Sequence, residues 1–572
     1  MYSALFQPHQ GHTFTPLTPT PPNRLHNALT RLLTHEAWKP DYVLHDITRR
    51  QTREMRHFLL DELNRLRLDI EIAPLYNLQP LLIQLLLSAT QSLLLIKAID
   101  AAIAPHKTLP PELLSQIFIY CAPTSLTFPP THSQATMAPW TLMQVCSRWR
   151  KVALGTPEIW RCVTISYRLS RDNDKRKWAK RIRRIVLAAH DILIRGTRTL
   201  TVSLAAGTYR CEYLLGDRNP ITDIILPVSK RLTHIFVNSS DILLCRFLES
   251  SPLAFDSLES IRVDLDHNWA LRPRTGVLND MLVLSHSPRL HTIEICDPSS
   301  KSDQLARLHT FKLPWIQLTH VILIDAWTTP EACYSLLSQC RKLTKCILCI
   351  SFEQKRTPSS TSFRPDCVLH TKVQSIGFHF DFPLERGSFF PADFLRPFVL
   401  PSLKALEISG TELNPGHHIE DDILSLVNRS QCKLERLKMI WMRLNHDQEV
   451  ELDNLLVAIS PNLVECELNS LPLSCSILDL AARGLLLPKL EVLTCDIMSW
   501  GDLDRFLDLV ECRSNETLRP HSIVKSAMVH FRQSYDVGEF TKAVRERAMS
   551  AMRRAEQAGR CIEITGLQGR GW

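Results

Sequence analysis

The stretch "LPSLKALEIS", residues 400–409, contains a hexamer with the pattern apolar-x-x-apolar-x-apolar. Leu406 and Ile408 alternate with polar residues, which predicts a strand buried on one face. The same pattern recurs along the second half of the chain, in segments that begin at 232, 258, 290, 318, 343, 373, 403, 434, 463 and 490. The steps between these starts run from 25 to 32 residues. The chain therefore predicts a repeated structural unit.

Ten units at this spacing are typical of a leucine-rich-repeat-like solenoid, in which each unit adds one strand to a parallel sheet and returns by a helix or loop. Candidate return helices are "ACYSLLSQC", "IEDDILSLVNRS" and "ELDNLLVAIS". The alternative is an ordinary α/β domain with many short strands. In both cases the fold class is α/β, or α+β for the whole chain, because the first third is helical.

A period of two sorts the strand positions into two faces. The residues predicted to face the core are Ile235, Val237, Ile261, Val263, Ile293, Ile295, Leu406, Ile408, Leu437 and Leu468. Those predicted to face outward, on the concave side of the solenoid, are Arg262, Asp264, Glu294, His320, Lys345, His379, Glu407, Arg436, Lys438, Glu465, Glu467 and Asp496. Their charges are of both signs, so charge alone does not identify a ligand.

Before the repeats, "LPPELLSQIFIYC" at 109–121 predicts a short apolar helix. Pro110 and Pro111 suit a first helical turn, where an N–H would be unpaired in any case, and Glu112 suits the helix dipole. A Pro-rich loop follows, and then "WTLMQVCSRWRKVAL" at 140–154 predicts one amphipathic helix before the turn "GTPEIW". About fifty residues barely bury a core alone. These helices therefore pack either on the rest of the chain or on a partner.

The ordered set "LPPE", apolar helix, Pro-containing loop, "VC-x-x-W" and "TP-x-x-W" resembles the F-box, and more closely the F-box of a large group of basidiomycete F-box proteins. The resemblance implies a three-helix motif that docks on the adaptor subunit of an SCF-type (cullin–RING) ubiquitin ligase. It also implies a set of adaptor-binding residues, in two segments: Leu109, Pro110, Leu113, Leu114, Ile117, Phe118, Val145 and Trp149. Core packing is the alternative role for Trp149 and for Trp160.

The function expected from this resemblance is that of a substrate receptor, whose F-box holds the adaptor and, through it, cullin. The repeat array would hold a client protein of unknown identity. On the concave face, the expected client-binding residues are Arg262, Glu294, His320, Glu407, Arg436, Lys438 and Glu467. The alternative is a repeat-based interaction scaffold whose F-box works outside a ligase. Neither role is enzymatic or requires a cofactor, and the family does no covalent chemistry itself.

Residues 45–72 carry apolar residues at steps of three and four, typical of a coiled-coil or helical-hairpin seam: Met55, Leu59, Leu63, Leu66 and Ile70. Residues 81–104 are long and apolar enough to span a bilayer, but Lys97, Asp100 and several polar residues interrupt them. We expect a packed soluble helix and no membrane partner. The predicted domains are a disordered tail (1–35), a helical segment (36–107), the F-box (108–165), a linker helix (166–194), a leucine-rich-repeat-like array (195–540), and a cap with tail (541–572).

The sequence argues against several other classes of chemistry. The 17 cysteines follow no regular framework and no signal peptide precedes them, so we expect reduced thiols and a cytoplasmic or nuclear location. The net charge of +8 is mild for this length, and the basic run at 175–194 is read as a solvated helix face, so no nucleic-acid partner is expected. There are two candidate metal sites, the Cys346/Cys349 pair and the "HHIEDD" segment at 417–422. We expect no metal at either site. Phosphate-loop, nucleophile-elbow and zincin motifs are absent.

Overall fold

The structure is a computed structural model of the 572-residue chain. It describes residues 46–72, 79–103, 109–130, 137–167, 175–196, 200–206, 219–239, 241–265, 280–296, 311–352, 368–381, 394–412, 419–443, 452–513, 523–531 and 539–565. The chain divides into two compact units. The first comprises Met1–Thr124 and Pro130–Trp160, and the second comprises Ser125–Pro129 and Arg161–Trp572.

The first unit begins with a pair of helices, α1 (Asp46–Ile72) and α2 (Gln79–Ile103), which pack against each other. Along α1, the predicted seam residues Met55, Leu59 and Leu66 are buried. Arg56 of α1 forms an ion pair with Asp100 of α2. Both side chains are partly exposed, so Asp100 contacts solvent as well as a partner on the neighbouring helix.

The helix α2 carries apolar residues on all sides but packs on only one side. Its stretch Gln79–Lys97 is long and apolar enough to cross a membrane, by length and composition alone, and only 11% of it is buried. The exposed apolar residues are Ile83, Leu86, Leu87, Leu93 and Leu94. The expectation of a packed helix therefore holds for the side that faces α1, whereas the opposite side presents apolar residues to solvent.

Among its described residues, the rest of the first unit forms three short helices and a 3-10 turn. They are α3 (Pro111–Cys121), α4 (Trp140–Val145), α5 (Ser147–Leu154) and the turn Pro157–Trp160.

In the described part of the second unit, a parallel sheet of fifteen strands is the central element, and its strands lie side by side in chain order. They are β1 (Leu126–Phe128), β2 (Cys162–Tyr167), β3 (Leu200–Ala206), β4 (Leu232–Ser239), β5 (Ser260–Leu265), β6 (Thr292–Cys296), β7 (His320–Thr328), β8 (Lys345–Ser351), β10 (Ser375–Asp381), β12 (Ala405–Glu412), β13 (Arg436–Arg443), β14 (Glu465–Pro472), β15 (Val492–Ile497), β16 (Ser526–Phe531) and β17 (Cys561–Thr565). The short strands β9 (Val368–Leu369) and β11 (Phe398–Val399) pair separately.

The pairing register follows the sequence repeat. The fourth residue of each hexamer pairs with the fourth residue of the next, through all ten units: Ile235, Ile261, Ile293, Val321, Cys346, Ile376, Leu406, Leu437, Cys466 and Leu493. The predicted fold class, with N-terminal helices followed by a repeat-built parallel sheet, is confirmed. The ladder also continues beyond the ten units, to Val202 and Val163 on one side and to Ala527 and Ile562 on the other.

Helices and 3-10 turns connect the strands. The helices are α6 (Lys175–Arg195), α7 (Pro220–Ile225), α8 (Asp241–Leu248), α9 (Pro330–Gln339), α10 (Ile419–Ser430), α11 (Asp453–Ile459), α12 (Cys475–Ala482), α13 (Trp500–Cys512) and α14 (Glu539–Gln557). The 3-10 turns are Leu226–Arg231, Leu282–Leu284, Trp315–Gln317 and Ser460–Asn462. The basic helix α6 buries Ile182, Ile185 and Ala189, and its arginines 181, 183 and 184 are exposed, in line with a solvated basic face.

One face of the sheet packs on these helices in a continuous core, and all ten residues predicted to face inward are at most 2% exposed. We call the other side the open face. Asp496 was predicted to lie exposed on it, and this prediction is wrong because the residue is 1% exposed. The strand β14 bulges here: Leu468 pairs with Cys495, and the next pair is Pro472 with Asp496, so three extra residues lie beside the carboxylate.

Arg513, at the end of α13, provides a test of how neighbouring repeats hold together. It is 4% exposed, and its guanidinium donates to the carbonyl oxygens of Ala481 at 2.8 Å and Leu486 at 3.0 Å. Both carbonyls belong to the preceding repeat, so the Arg513→Met variant leaves them without their charged donor. We expect it to lower the free energy of unfolding by about 2–4 kcal/mol, measured by urea denaturation.

The matched control is Arg505→Met, on the same helix. Arg505 is half exposed and pairs with Asp479 at 3.1 Å, so its loss is expected to cost less than about 1 kcal/mol. Equal effects of the two substitutions would contradict a special role for the buried guanidinium.

Candidate functional site

Helix α3 begins where the sequence places its double proline. Pro110 is the N-cap residue, Pro111 is the first helical residue and Glu112 lies in the first turn. The helix ends at Cys121, because Ala122 is extended and donates its N–H to the carbonyls of Phe118 and Ile119. Eleven residues of helix make three turns, which is enough to present two separate apolar stripes.

The two stripes of α3 have opposite environments. The inner stripe, Leu114 and Phe118, has no accessible surface. The outer stripe, Leu113, Ile117 and Tyr120, is 51%, 41% and 87% exposed. Residues spaced at i, i+4 and i+7 lie on one side of a helix, so the outer stripe forms a continuous apolar strip.

The inner stripe packs against α5. The rings of Phe118 and Trp149 lie 5.1 Å apart, centroid to centroid. Trp160 is fully buried: its indole N–H donates to the carbonyl of Ala153 at 2.9 Å, and its ring meets the edge of Trp140 at 6.0 Å. Aromatic pairs of this kind add about 0.5–1.5 kcal/mol each beyond the burial of their area. Two aromatic contacts and the hydrogen bond of the Trp160 indole thus hold a core that is otherwise very small.

The single helix predicted for residues 140–154 is two helices. The backbone of Cys146 is extended, with φ −160° and ψ 169°, and its sulfur accepts the N–H of Trp149 as an N-cap of α5. The break changes the direction of the apolar residues, so Val145 is 47% exposed whereas Trp149 is mostly buried. Val145 therefore joins the solvent-facing residues of the motif.

Polar contacts hold the start of α3 against α5. Thr156 donates to the hydroxyl of Ser115 at 2.9 Å, and Arg148 donates to the carbonyl of Leu109. Leu109 and Pro110 are thereby held at the accessible end of the helix, the first half exposed and the second exposed.

The eight residues expected to bind the adaptor thus fall into two groups. Leu109, Pro110, Leu113, Ile117, Val145 and part of Trp149 are accessible. Leu114 and Phe118 are not, and we assign them to the core of the motif, because a side chain without accessible surface cannot contact a partner in this conformation. Tyr120 was missed. Its spacing of three residues from Ile117 and seven from Leu113 places it on the same side of the helix as these two residues, and this spacing is visible in the sequence.

On the open face, the residues expected to bind a client form two charged groups. On β5 and β6, Arg262 lies 2.9 Å from Glu294 and 3.0 Å from Asp264, and it also lies over the ring of Phe236. The second group spans β12 to β14, where Lys438 lies between Glu407 at 3.6 Å and Glu467 at 3.3 Å. Most of these charges are therefore already balanced within the chain.

Arg436 and His320, also expected to bind a client, lie on the row nearer the N-terminal ends of the strands. Arg436 lies 4.0 Å from Glu465 of β14. His320 pairs in register with Lys345 of β8, and burial together with the neighbouring His291 and Lys345 lowers the pKa of His320.

Between the two charged groups, the fifth hexamer positions are apolar: Ile322, Ile347 and Gly377, on β7, β8 and β10. We call these three residues the apolar patch. Both isoleucines are half exposed. A Cβ atom at Gly377 would lie 3.3 Å from Ile347 Cγ1 and 3.5 Å from Glu407 Cβ, so glycine lets these side chains close over the strand, and Gly377 itself is buried. The patch was missed because only polar outward residues were considered.

His379 lies beside the apolar patch. Its Nδ1 is 2.7 Å from the Ser409 hydroxyl, and its Nε2 is 4.0 Å from a carboxylate oxygen of Glu407. Burial lowers the pKa of His379 below its ordinary value; Glu407 and Asp325 act in the opposite direction, and Lys438 in the same one.

The candidate metal ligands show no metal-binding geometry in the described parts of the chain. Cys346 and Cys349 are 0% and 2% exposed, although a strand period of two predicts opposite faces for them. A bulge in β7 covers Cys349, whose Sγ donates to the carbonyl of Leu323, and burial raises the pKa of this thiol to about 12. The described residues contain no group of three or more potential ligands placed to hold a metal ion. His417 and His418 lie outside the described residues.

Comparison with known proteins identifies one part of the chain. Residues 106–166 match the F-box-like family, a range that contains α3, α4, α5 and the 3-10 turn. The predicted F-box domain is thereby confirmed. No curated protein matches the chain. F-box-like domains are protein-interaction modules that bind an adaptor, so the chain carries a module of this kind.

The two stripes of α3 predict different consequences of truncation. We expect Leu114→Ala or Phe118→Ala to destabilise the motif by about 3–5 kcal/mol, because each opens a cavity in a small core. Leu113→Ala, one residue away and half exposed, is expected to cost less than about 1 kcal/mol. Hydrogen exchange of the α5 amides measures the difference. Similar exchange in the Leu113→Ala and Leu114→Ala variants would contradict the assignment of the stripes.

The environment of His379 predicts a pH dependence. Because its pKa is lower in the folded than in the unfolded chain, the unfolded chain binds the proton first as the pH falls. The stability contribution is therefore complete above a pH of about 6.5 and declines below it. We expect the urea midpoint to fall between pH 7.5 and 5.5, and to fall less in His379→Gln. The same decline in both proteins would show that His379 does not contribute.

Proposed function

We propose that the chain is the substrate-recognition subunit of an SCF-type cullin–RING ubiquitin ligase. Its F-box-like domain binds the SCF adaptor and, through it, cullin, and the open face of its sheet binds a client protein. The chain itself is not an enzyme and needs no cofactor. It accelerates ubiquitin transfer by holding the client near a ubiquitin-loaded enzyme supplied by other subunits, which replaces a bimolecular encounter by proximity.

The observation that supports this most strongly is the outer stripe. Three large apolar side chains are exposed on one side of α3, within the segment that matches the F-box-like family. An amphipathic helix that lays its apolar side into a groove of another protein is a common recognition mode. Leu109, Pro110 and Val145 extend the accessible apolar surface around it.

The open face suits a protein client better than a nucleic acid. Phosphate binding requires a surface dominated by lysine and arginine. Here carboxylates alternate with basic residues across neighbouring strands, among them Glu294, Glu407, Glu465 and Glu467. We therefore infer no nucleic-acid partner and no membrane partner for this face. We also propose a cytoplasmic or nuclear location for the chain, where its thiols would stay reduced.

Adaptor binding is tested with the full chain and purified SCF adaptor, by biolayer interferometry. We expect the double variant Leu113→Ala/Ile117→Ala to weaken binding at least about tenfold, because large side chains at the centre of an interface carry most of its free energy. Leu187→Ala/Ile194→Ala is the matched control. Both residues are exposed on the helix α6, at 59% and 52%, and outside the F-box-like domain. Equal affinity of both double variants and the wild type would contradict the proposal.

A second step separates a ligase receptor from a scaffold. The adaptor-bound chain is mixed with purified cullin and analysed by size-exclusion chromatography. A receptor forms a ternary complex, whereas a scaffold that works outside the ligase forms an adaptor complex from which cullin elutes separately.

A further inference from the structure

In the described part of the chain, the side of α2 that faces away from α1 is an apolar stripe open to solvent. The side that packs on α1 includes the buried residues Ser92, Ile96 and Ile99. We call the exposed set the α2 stripe: Ile83, Leu86, Leu87, Leu93 and Leu94. The two leucine pairs of the stripe are seven residues apart, which is the spacing of a seam that packs against another helix.

Thr90 lies at the centre of the α2 stripe and is compatible with an apolar contact. It is three residues from Leu87 and Leu93, and four residues from Leu86 and Leu94, so all five residues share one side of the helix. Its hydroxyl donates to the carbonyl oxygen of Leu86 at 2.8 Å. Because this donor is satisfied within the helix, covering Thr90 leaves no unpaired hydroxyl proton.

The α2 stripe is symmetric about Thr90. When two copies of α2 run antiparallel with Thr90 on a two-fold axis, Leu86 of each copy faces Leu94 of the other. In the same arrangement, Leu87 of each copy faces Leu93 of the other. A surface that is complementary to itself in this way is what an isologous dimer requires. The small side chain on the axis lets the two helices approach closely.

The ends of the stripe fit the same arrangement. Ile83 and Lys97 are each seven residues from Thr90, so Ile83 of one copy faces Lys97 of the other. Lys97 is exposed, and its aliphatic stem covers the isoleucine while its ammonium group stays in solvent. The two copies of Lys97 are then about 21 Å apart along the axis, which is beyond the screening length at physiological salt.

We propose that the α2 stripe binds a second copy of this chain, antiparallel and with Thr90 on the two-fold axis. The two hairpins then form a four-helix arrangement whose central seam is built from leucine pairs. Each dimer carries two F-box-like domains. This inference goes beyond the proposed function and does not rest on it, because the stripe lies outside both the F-box-like segment and the open face.

The composition of the helix favours a second copy over a partner recognised by charge. From Gln79 to Ile96 the helix carries no charged residue, so a charged partner finds no counterpart there. Polar groups that such a partner placed against the stripe would be buried unpaired. An identical stripe brings only aliphatic side chains and the internally bonded threonine to the contact.

A bilayer fits the hairpin less well than a second copy does. The half of α1 next to the connection with α2 carries two ion pairs, Glu62 with Arg65 and Arg67 with Glu71. A spanning α2 would carry these charges into hydrocarbon, where they are costly. A helix that lies on a membrane surface usually has lysine and arginine along its polar side, and the segment 79–96 has neither.

The test uses the full chain and measures its mass by sedimentation equilibrium at about 1–100 μM, because small interfaces commonly have micromolar affinity. We expect a reversible dimer of the 65.5 kDa chain. Leu86→Glu and Leu94→Lys, made separately, each place an unpaired charge against a leucine. Each should raise the dissociation constant at least about tenfold. The matched control is Ser88→Glu, at an exposed position on another side of the same helix, which should leave the dimer unchanged.

The double variant Leu86→Glu/Leu94→Lys tests the direction of packing. In the antiparallel dimer, the introduced carboxylate of each copy faces the introduced ammonium group of the other, so dimerisation should return. A parallel dimer would place like charges against each other and stay dissociated. The inference is overturned if the wild type is monomeric throughout the concentration range, if the single variants dimerise like the wild type, or if the double variant does not recover.

Thr90→Cys keeps the test decisive if a charged variant does not fold. With oxidised glutathione as oxidant, the two thiols on the axis should form a disulfide between copies, whereas Ser88→Cys should not. Equal cross-linking of both variants would overturn the inference. So would a monomeric wild type that floats with phosphatidylcholine vesicles, because that result assigns the stripe to a membrane.

Discussion

The constraint on which the second unit depends is the parallel pairing of one aliphatic or small apolar position per repeat. From Val163 to Ile562 the same position is paired across neighbouring strands. A one-residue slip would turn every buried side chain of a strand toward solvent, so the buried ladder fixes the register. Once the register is fixed, the helices must cover the buried side, and the remaining side is left for polar residues and for binding.

The first unit is under a different constraint, because its small motif buries few apolar side chains. Two residues of α3 and the tryptophans 149 and 160 are used for the core, while Leu113, Ile117 and Tyr120 remain outside. A sequence that keeps large apolar residues exposed next to a marginal core is typical of an interface. The same short helix thus stabilises the motif with one stripe and presents the other to a partner.

The strands and their two faces were predictable from the sequence, because the period of two is local. The signal for the apolar patch was equally local, since Ile322, Ile347 and Gly377 occupy one repeat position. By contrast, the burial of Asp496 depends on a bulge in β14, a neighbouring strand. The covering of Cys349 depends in the same way on a bulge in β7. Each bulge lies in the strand that precedes the affected residue, so the sequence next to Asp496 or Cys349 gives no indication of it.

The F-box-like segment shows the same limit. Helical periodicity continues through Cys146, so one helix was predicted where the backbone becomes extended and begins a second. On α3, both stripes are apolar, and periodicity gives no means to decide which of them faces the core. That decision depends on the position of α5, through the contact of Trp149 with Phe118 and of Arg148 with the carbonyl of Leu109.

The most direct test of the account is hydrogen–deuterium exchange of the full chain with and without purified SCF adaptor. The account predicts that the adaptor protects amides of α3 and α4 and leaves the strands β5 to β14 unchanged, because adaptor and client use different surfaces. Protection of the strands, or no protection of α3, would contradict it.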